Sequence, residues 1–181
     1  MEDHQAAGAL FLAETGDFMA VPDPRSYAIV PYVDKTARVH AYMMKEEGGV
    51  WDGCPRGKVD ALVELYRAEG LSVQIAFEPE FTLYKKKENE YTPVASSSMF
   101  ALAGLELQHD FLRDVVDYCA QMGVPVTQIG KEYGQGQYEG GILHGDPITA
   151  IDRYLIYKDA VQQETAYTFT SAFGMPLVKR I

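Results

Sequence analysis

Cysteine is scarce. Cys54 and Cys119 are the two in the chain, with no CxxC pair and no cysteine-rich framework. A disulfide-stapled scaffold is therefore excluded, and two isolated thiols suit reduced, partly buried side chains of a cytoplasmic protein. Long apolar runs are missing too. The stretch from Ala6 to Ala13 is too short and too weak to span a membrane, and Glu2 and Asp3 stand where a signal peptide would be basic. Positive charge is in deficit, with 16 Lys and Arg against 26 Asp and Glu, a net charge of -10 and a pI near 4.8. Nucleic acid and anionic membrane are repelled by such a balance and are not expected as partners, whereas cations suit it. No internal repeat or low-complexity tract occurs. What is present is the make-up of a folded globular protein, 47% hydrophobic and 12% aromatic. The 181 residues suffice for one domain, or one domain with part of another.

Along the chain, Gln5 to Glu14 permits a short helix. Three strand candidates follow, Phe18 to Val21, Ser26 to Tyr32 and Thr36 to Met44, separated by Pro22-Asp23-Pro24 and Val33-Asp34-Lys35. They predict a small antiparallel sheet. Pro55 suits a first helical turn, and Val59, Leu62, Val63, Leu65 and Tyr66 recur at helical spacing before Gly70. Ser72 to Lys86 reads as a long strand, with Ile75, Phe77, Pro79, Phe81 and Leu83 on one side and Gln74, Glu78, Glu80, Thr82 and Tyr84 on the other. A polar connection is expected over 87–98, a helix over Phe111 to Met122, a strand over Val124 to Ile129 and a long helix over Ile148 to Tyr167, started by Asp146-Pro147. The fold class that follows is α+β with a largely antiparallel sheet.

Two acidic groupings stand out. Glu78 and Glu80, two apart on a strand, leave the same face roughly 6.5–7 Å apart at the backbone. Two such carboxylates repel unless something positive lies between them, and a hard divalent cation such as Mg²⁺ or Mn²⁺ takes oxygen ligands. Taken alone, the pair reads first as two acids on a solvated strand face. In Lys131-Glu132-Tyr133-Gly134-Gln135-Gly136-Gln137-Tyr138-Glu139, two glycines permit a tight reversal that returns Glu139 toward Glu132. An ordinary hairpin explains that segment as well.

The ordered combination is more specific than either motif. Glu78-Pro79-Glu80-Phe81 resembles the E-x-E-F strand of glutamine synthetases, and Glu132 followed by Gly134-Gln135-Gly136-Gln137-Tyr138-Glu139 resembles the family's acid and G-x-G-Q-x-E element. Pro22-Asp23-Pro24-Arg25-Ser26, Ile29-Val30-Pro31-Tyr32, Cys54-Pro55-Arg56 and Ala150-Ile151-Asp152 resemble flanking family segments in the family's order. The resemblance covers about residues 17 to 170.

The resemblance implies an ATP-dependent ligase that joins ammonia, or another amine, to the γ-carboxylate of glutamate through γ-glutamyl phosphate. It implies a curved antiparallel sheet carrying two divalent cations, Mg²⁺ or Mn²⁺. One would be held by Glu80, Glu132 and Glu139, and the other by Glu78 with a histidine and a glutamate from later in the family's sequence. It also implies a ring-shaped homo-oligomer. Phosphoryl transfer suits such a site, since it needs positioning and charge neutralisation more than covalent help.

By the same comparison, residues 1–16 match nothing, 17–54 resemble the remainder of an N-terminal β-grasp domain, and 55–181 resemble the first part of the catalytic domain. His4, His40, His109 and His144 match no family ligand position, and the run from Thr168 to Ile181 matches only loosely, at Met175-Pro176. The expectation is a partial chain with one complete metal site and one incomplete one, not competent for the full reaction alone. Two further readings stand beside glutamine synthesis. One is a γ-glutamyl-polyamine or other glutamate–amine ligase, and the other a non-catalytic assembly module.

Overall fold

In the computed structural model the described residues are 17–87, 90–165, 169–173 and 175–176. The helix expected over Gln5 to Glu14 lies outside them. The chain divides into two compact units, one containing 17–27 and 39–73, the other 28–38 and the residues from 74 onward.

In the first unit β1 (Met19–Pro22) pairs antiparallel with β4 (Ala41–Met44), Met19 standing opposite Met44. A single 3-10 turn, Pro24–Ser26, follows β1, with the Asp23 carboxylate accepting the Arg25 amide at 3.1 Å. Helix α1 (Pro55–Ala68) begins on its proline, where a missing N–H leaves nothing unsatisfied, and Gly70 follows it with φ +74°. Asp23 is the unit's ionic centre. Its buried carboxylate accepts from Arg25 Nη2 at 2.7 Å and Arg56 Nη2 at 2.6 Å, and Arg56 lies over the Tyr42 ring.

The second unit holds the pair β2 (Ala28–Ile29) and β3 (Ala37–Arg38), and a larger sheet. That sheet comprises β5 (Glu80–Lys87), β6 (Glu90–Pro93), β7 (Val126–Lys131), β8 (Gln137–Ile142), β9 (Phe169–Phe173) and β10 (Met175–Pro176). Its order is β10-β9-β5-β8-β7, with β6 also on β5, and every pairing is antiparallel. The helices are α2 (Leu102–Glu106), α3 (His109–Gln121) and α4 (Pro147–Thr165). The architecture is α+β, as expected.

The alternation read from residues 75–83 holds. Phe81 and Leu83 are buried, whereas Glu78 and Glu80 are exposed. Phe81 packs with Tyr138 of β8, Phe111 of α3 and Tyr157 of α4, and the cluster continues through Val115, Cys119, Ala160 and Val161. One face of the sheet is thus consumed by the helices, which leaves the other for chemistry.

Three expectations change. Thr36 to Met44 is not one strand. It breaks at His40, whose N–H donates to Ser26 Oγ at 2.7 Å and whose carbonyl accepts from Asp23 N at 2.8 Å. A side chain replaces a ladder partner there, so the single small sheet becomes two separate pairs. Residues 87–98, expected as connection, contain β6, with Tyr84 opposite Pro93. The long strand is regular only from Glu80, because Pro79 has no N–H to donate. Before it the chain still follows β8. The carbonyls of Phe77 and Pro79 accept from Ile142 N at 3.1 Å and Gly140 N at 3.0 Å.

Candidate metal centre

The second unit brings the four acids onto one side of the sheet. Glu80 and Glu139 are direct cross-strand partners on β5 and β8, and directly opposed residues of antiparallel strands project from the same face. Across the next ladder Glu139 stands opposite Gly130 of β7, and Glu132 lies two residues beyond Gly130. Glu78 precedes Glu80 by two on an extended segment. The residues next to the acids in sequence, Phe81, Tyr138 and Lys131, form the buried row of the opposite face. A Cβ built on Gly130 would meet nothing within 4 Å, so the middle of the acidic row is open above the sheet.

The hairpin joining β7 to β8 is set by its glycines. Glu132 N donates to Gln137 O at 2.9 Å and Gln137 N to Gly134 O at 3.1 Å, closing the reversal. Gly136 has φ +67°, and a Cβ there would sit 2.6 Å from the Leu83 carbonyl, so only glycine lets the hairpin lie against β5. Lys131, fully buried, holds the turn from below, its Nζ donating to the carbonyls of Glu132 and Gly134 at 2.6 Å each. Burial pulls its pKa below the ordinary lysine value, with the Glu132 charge opposing.

The electrostatics report the convergence. Glu139 is half-buried, and its pKa is raised first by burial and then by the negative charges of Glu132, Glu78 and Glu80. All four acids therefore share one field, which a positive charge would relieve. Their donor atoms are carboxylate oxygens, the set a hard divalent cation takes. Among the described residues, no three His, Cys, Asp or Glu side chains stand as a closed ligand group. The acids share a face without forming a ready-made cage. By donor chemistry and mutual repulsion the residues fit Mg²⁺ or Mn²⁺.

Sequence reasoning did not single out Gln137. Its Nε2 donates to Glu80 Oε2 at 2.6 Å while its Oε1 accepts from Gly134 N at 2.7 Å. The buried anchoring of Lys131 was likewise hidden, since a lysine beside a glutamate reads as a surface pair. Of the histidines, His40 is in the first unit, His109 opens α3 beside Asp110, His144 is exposed after β8, and His4 lies outside the described residues. No helix among the described residues is long and apolar enough to cross a membrane.

Residues 52–177 match the family model described as "Glutamine synthetase, catalytic domain". The chain is 28% identical over 150 residues to a glutamine synthetase of Pyrococcus horikoshii, covering 82% of this chain and 33% of the relative. It is 28% identical over 147 residues to a glutamate–methylamine ligase of Methyloversatilis universalis, covering 78% of this chain and 33% of the relative. Among solved structures, one described as a novel glutamine synthase homolog superposes with a TM-score of 0.72 at 26% identity, over 91% of this chain and 44% of that one. A Plasmodium falciparum glutamine synthetase superposes with a TM-score of 0.78 at 16% identity, over 97% of this chain and 40% of that one, a likeness of fold. The chain spans about a third of the length of the curated relatives it matches. With more than half of its residues matched to the catalytic-domain model, the chain belongs to the glutamine synthetase family.

Proposed function

We propose that the protein carrying this chain joins ammonia to the γ-carboxylate of glutamate in an ATP-dependent reaction through γ-glutamyl phosphate. The observation that carries this reading is the direct cross-strand opposition of Glu80 and Glu139, with Glu132 returned toward them by the glycine hairpin. Glu80, Glu132 and Glu139 would hold one divalent cation, and Glu78 would contribute to a second with groups outside this chain. Bound there, Mg²⁺ or Mn²⁺ would neutralise carboxylate and phosphate charge during phosphoryl transfer. The chain's own part is to fix the acids. The β5–β8 ladder sets Glu80 against Glu139, the glycine hairpin returns Glu132 to them, and buried Lys131 keeps the hairpin down.

A second acceptor is favoured by one observation, the likeness to a glutamate–methylamine ligase at the same 28% identity as the Pyrococcus horikoshii enzyme. The test is ATP- and glutamate-dependent phosphate release by the whole protein, with ammonia, methylamine, ethanolamine or putrescine. Ammonia should be the best acceptor. Preference for an organic amine would select the second reading, and no release with any amine would reject both. This 181-residue chain alone is expected to be inactive, and robust release from it would reject that expectation.

A further inference from the structure

Gln137 stands between two groups that need opposite things from it. The Glu80 carboxylate only accepts, and takes Nε2 at 2.6 Å; the Gly134 amide only donates, and gives to Oε1 at 2.7 Å. The amide's two ends are therefore fixed by chemistry, with no freedom to flip. Gln137 stands opposite Thr82 on β8, two residues before Glu139 and so on the same face. From there its side chain reaches diagonally to Glu80. It forms a strut from the hairpin backbone to the carboxylate.

The neutrality of that strut matters. An arginine or lysine at this place would satisfy Glu80 as well, but it would cancel the negative field that attracts a cation. A primary amide binds one oxygen of Glu80 and leaves the charge intact. Among the described residues the other oxygen, Oε1, takes no donor, so it stays available to a cation. Gly134 belongs to the same device. A Cβ there would come within 2.6 Å of Gln137 Oε1 and 3.2 Å of its Cβ, so any side chain at 134 displaces the amide.

We propose that Gln137 is a positioning residue, which orients the Glu80 carboxylate toward the metal and ties it to the Glu132–Glu139 hairpin. The proposal rests on the metal reading of the four acids given above. It goes beyond that reading because Gln137 is no ligand and acts through Glu80. Residues that orient metal ligands through hydrogen bonds commonly change affinity by about tenfold to a hundredfold when removed.

The experiment is Mn²⁺ titration of the 181-residue chain, followed by the electron paramagnetic resonance of the free ion, with thermal unfolding of each metal-free variant alongside. Gln137→Leu keeps the bulk and removes both hydrogen bonds. It should weaken Mn²⁺ binding by about tenfold or more with little change in melting temperature. Gly134→Ala, which leaves Gln137 in place but pushes its amide aside, should give a loss of the same kind. In a Glu80→Gln background the further loss from Gln137→Leu should fall below about twofold, because the group it orients is gone. Wild-type Mn²⁺ affinity in both single variants overturns the positioning role and leaves the metal reading standing. An undiminished loss in the Glu80→Gln background overturns it as well, since Gln137 would then act independently of Glu80. Absence of Mn²⁺ binding by the unsubstituted chain overturns the metal reading, and this proposal with it.

Discussion

Glu80 and Glu139 face one another directly across the β5–β8 ladder, while Phe81 and Tyr138, their immediate neighbours in sequence, form the next cross-strand pair on the buried side. Like charges directly opposite on a sheet are destabilising, whereas stacked aromatics stabilise. Two strands thus carry an unfavourable pair and a favourable pair in adjacent rungs. The unfavourable one is retained where the chain has its acidic face.

Relieving that pair should separate stability from binding. Glu139→Gln removes one of two opposed charges and should stabilise the metal-free chain by about 0.5 kcal/mol. The same variant should weaken Mn²⁺ binding by tenfold or more. At Mn²⁺ near 100 times the dissociation constant, the unsubstituted chain gains about 2.7 kcal/mol, and the order of stabilities should reverse. Thermal unfolding with and without Mn²⁺ measures both effects, and an unchanged order would reject the pairing argument.

Asp23 provides the pH dependence of the first unit. The Arg25 hydrogen bonds, and then those of Arg56, hold its carboxyl well below the ordinary value of 3.8, against the opposing effect of burial. A depressed folded pKa contributes stability that is fully present above the unfolded value and is lost as pH falls through the folded one. Asp23→Asn removes the buried carboxylate that accepts from both Arg25 and Arg56 and should destabilise by about 2–3 kcal/mol near neutral pH, with Arg25 too exposed to add much. Urea unfolding from pH 7 down to the acid limb should show the difference from wild type shrinking below pH 4. A constant difference across that range would count against the network.

Tyr157 makes an opposite forecast. Its ring is fully buried against Phe81, yet its hydroxyl has no hydrogen-bond partner among the described residues, and it sits where a Cβ on Gly140 would lie 2.2 Å away. Tyr157→Phe removes an unsatisfied buried polar atom without changing the packing, so it should raise stability by about 1 kcal/mol. Loss of stability, measured by denaturant unfolding, would show that the hydroxyl is satisfied in solution.

Both thiols should be silent in the folded chain. Cys119 is fully buried and its pKa is pushed up to about 12 by burial, and Cys54 is only 1% exposed. A thiol-specific chromogenic reagent should label neither under native conditions and both after unfolding. Fast native labelling of Cys119 would contradict its place in the α3 core.

Local pattern made much of this legible. The period-two alternation from Ile75 to Leu83 put Phe81 inside and Glu80 outside, and the glycines at 134 and 136 announced the hairpin that β7 and β8 form. Helical spacing located α1, α3 and α4 to within two residues over the described positions. What stayed hidden depends on partners distant in sequence. The register that sets Glu80 opposite Glu139 links residues far apart, and no local signal encodes it. Strand β6 is short, polar and largely exposed, so it looks like a loop until β5 pairs with it. The break at His40 arises from the hydroxyl of Ser26, 14 positions away. Gln137 looked like one more polar hairpin residue, because its importance lies in which two atoms it touches.

The rung-by-rung alternation of β5 and β8 restricts how this region can vary. Inserting or deleting one residue in either strand would turn Glu80 or Glu139 toward Val115 and Val161 and expose an aromatic ring in its place. A shift of two would restore the core but break the opposition of the acids and the reach of Gln137. Sequence change within residues 80–82 and 137–139 is therefore confined to substitution, while length variation is pushed outward to places such as the segment between β6 and α2. A library of single-residue insertions across the chain should map that restriction as a gap in tolerated sites centred on these two short stretches.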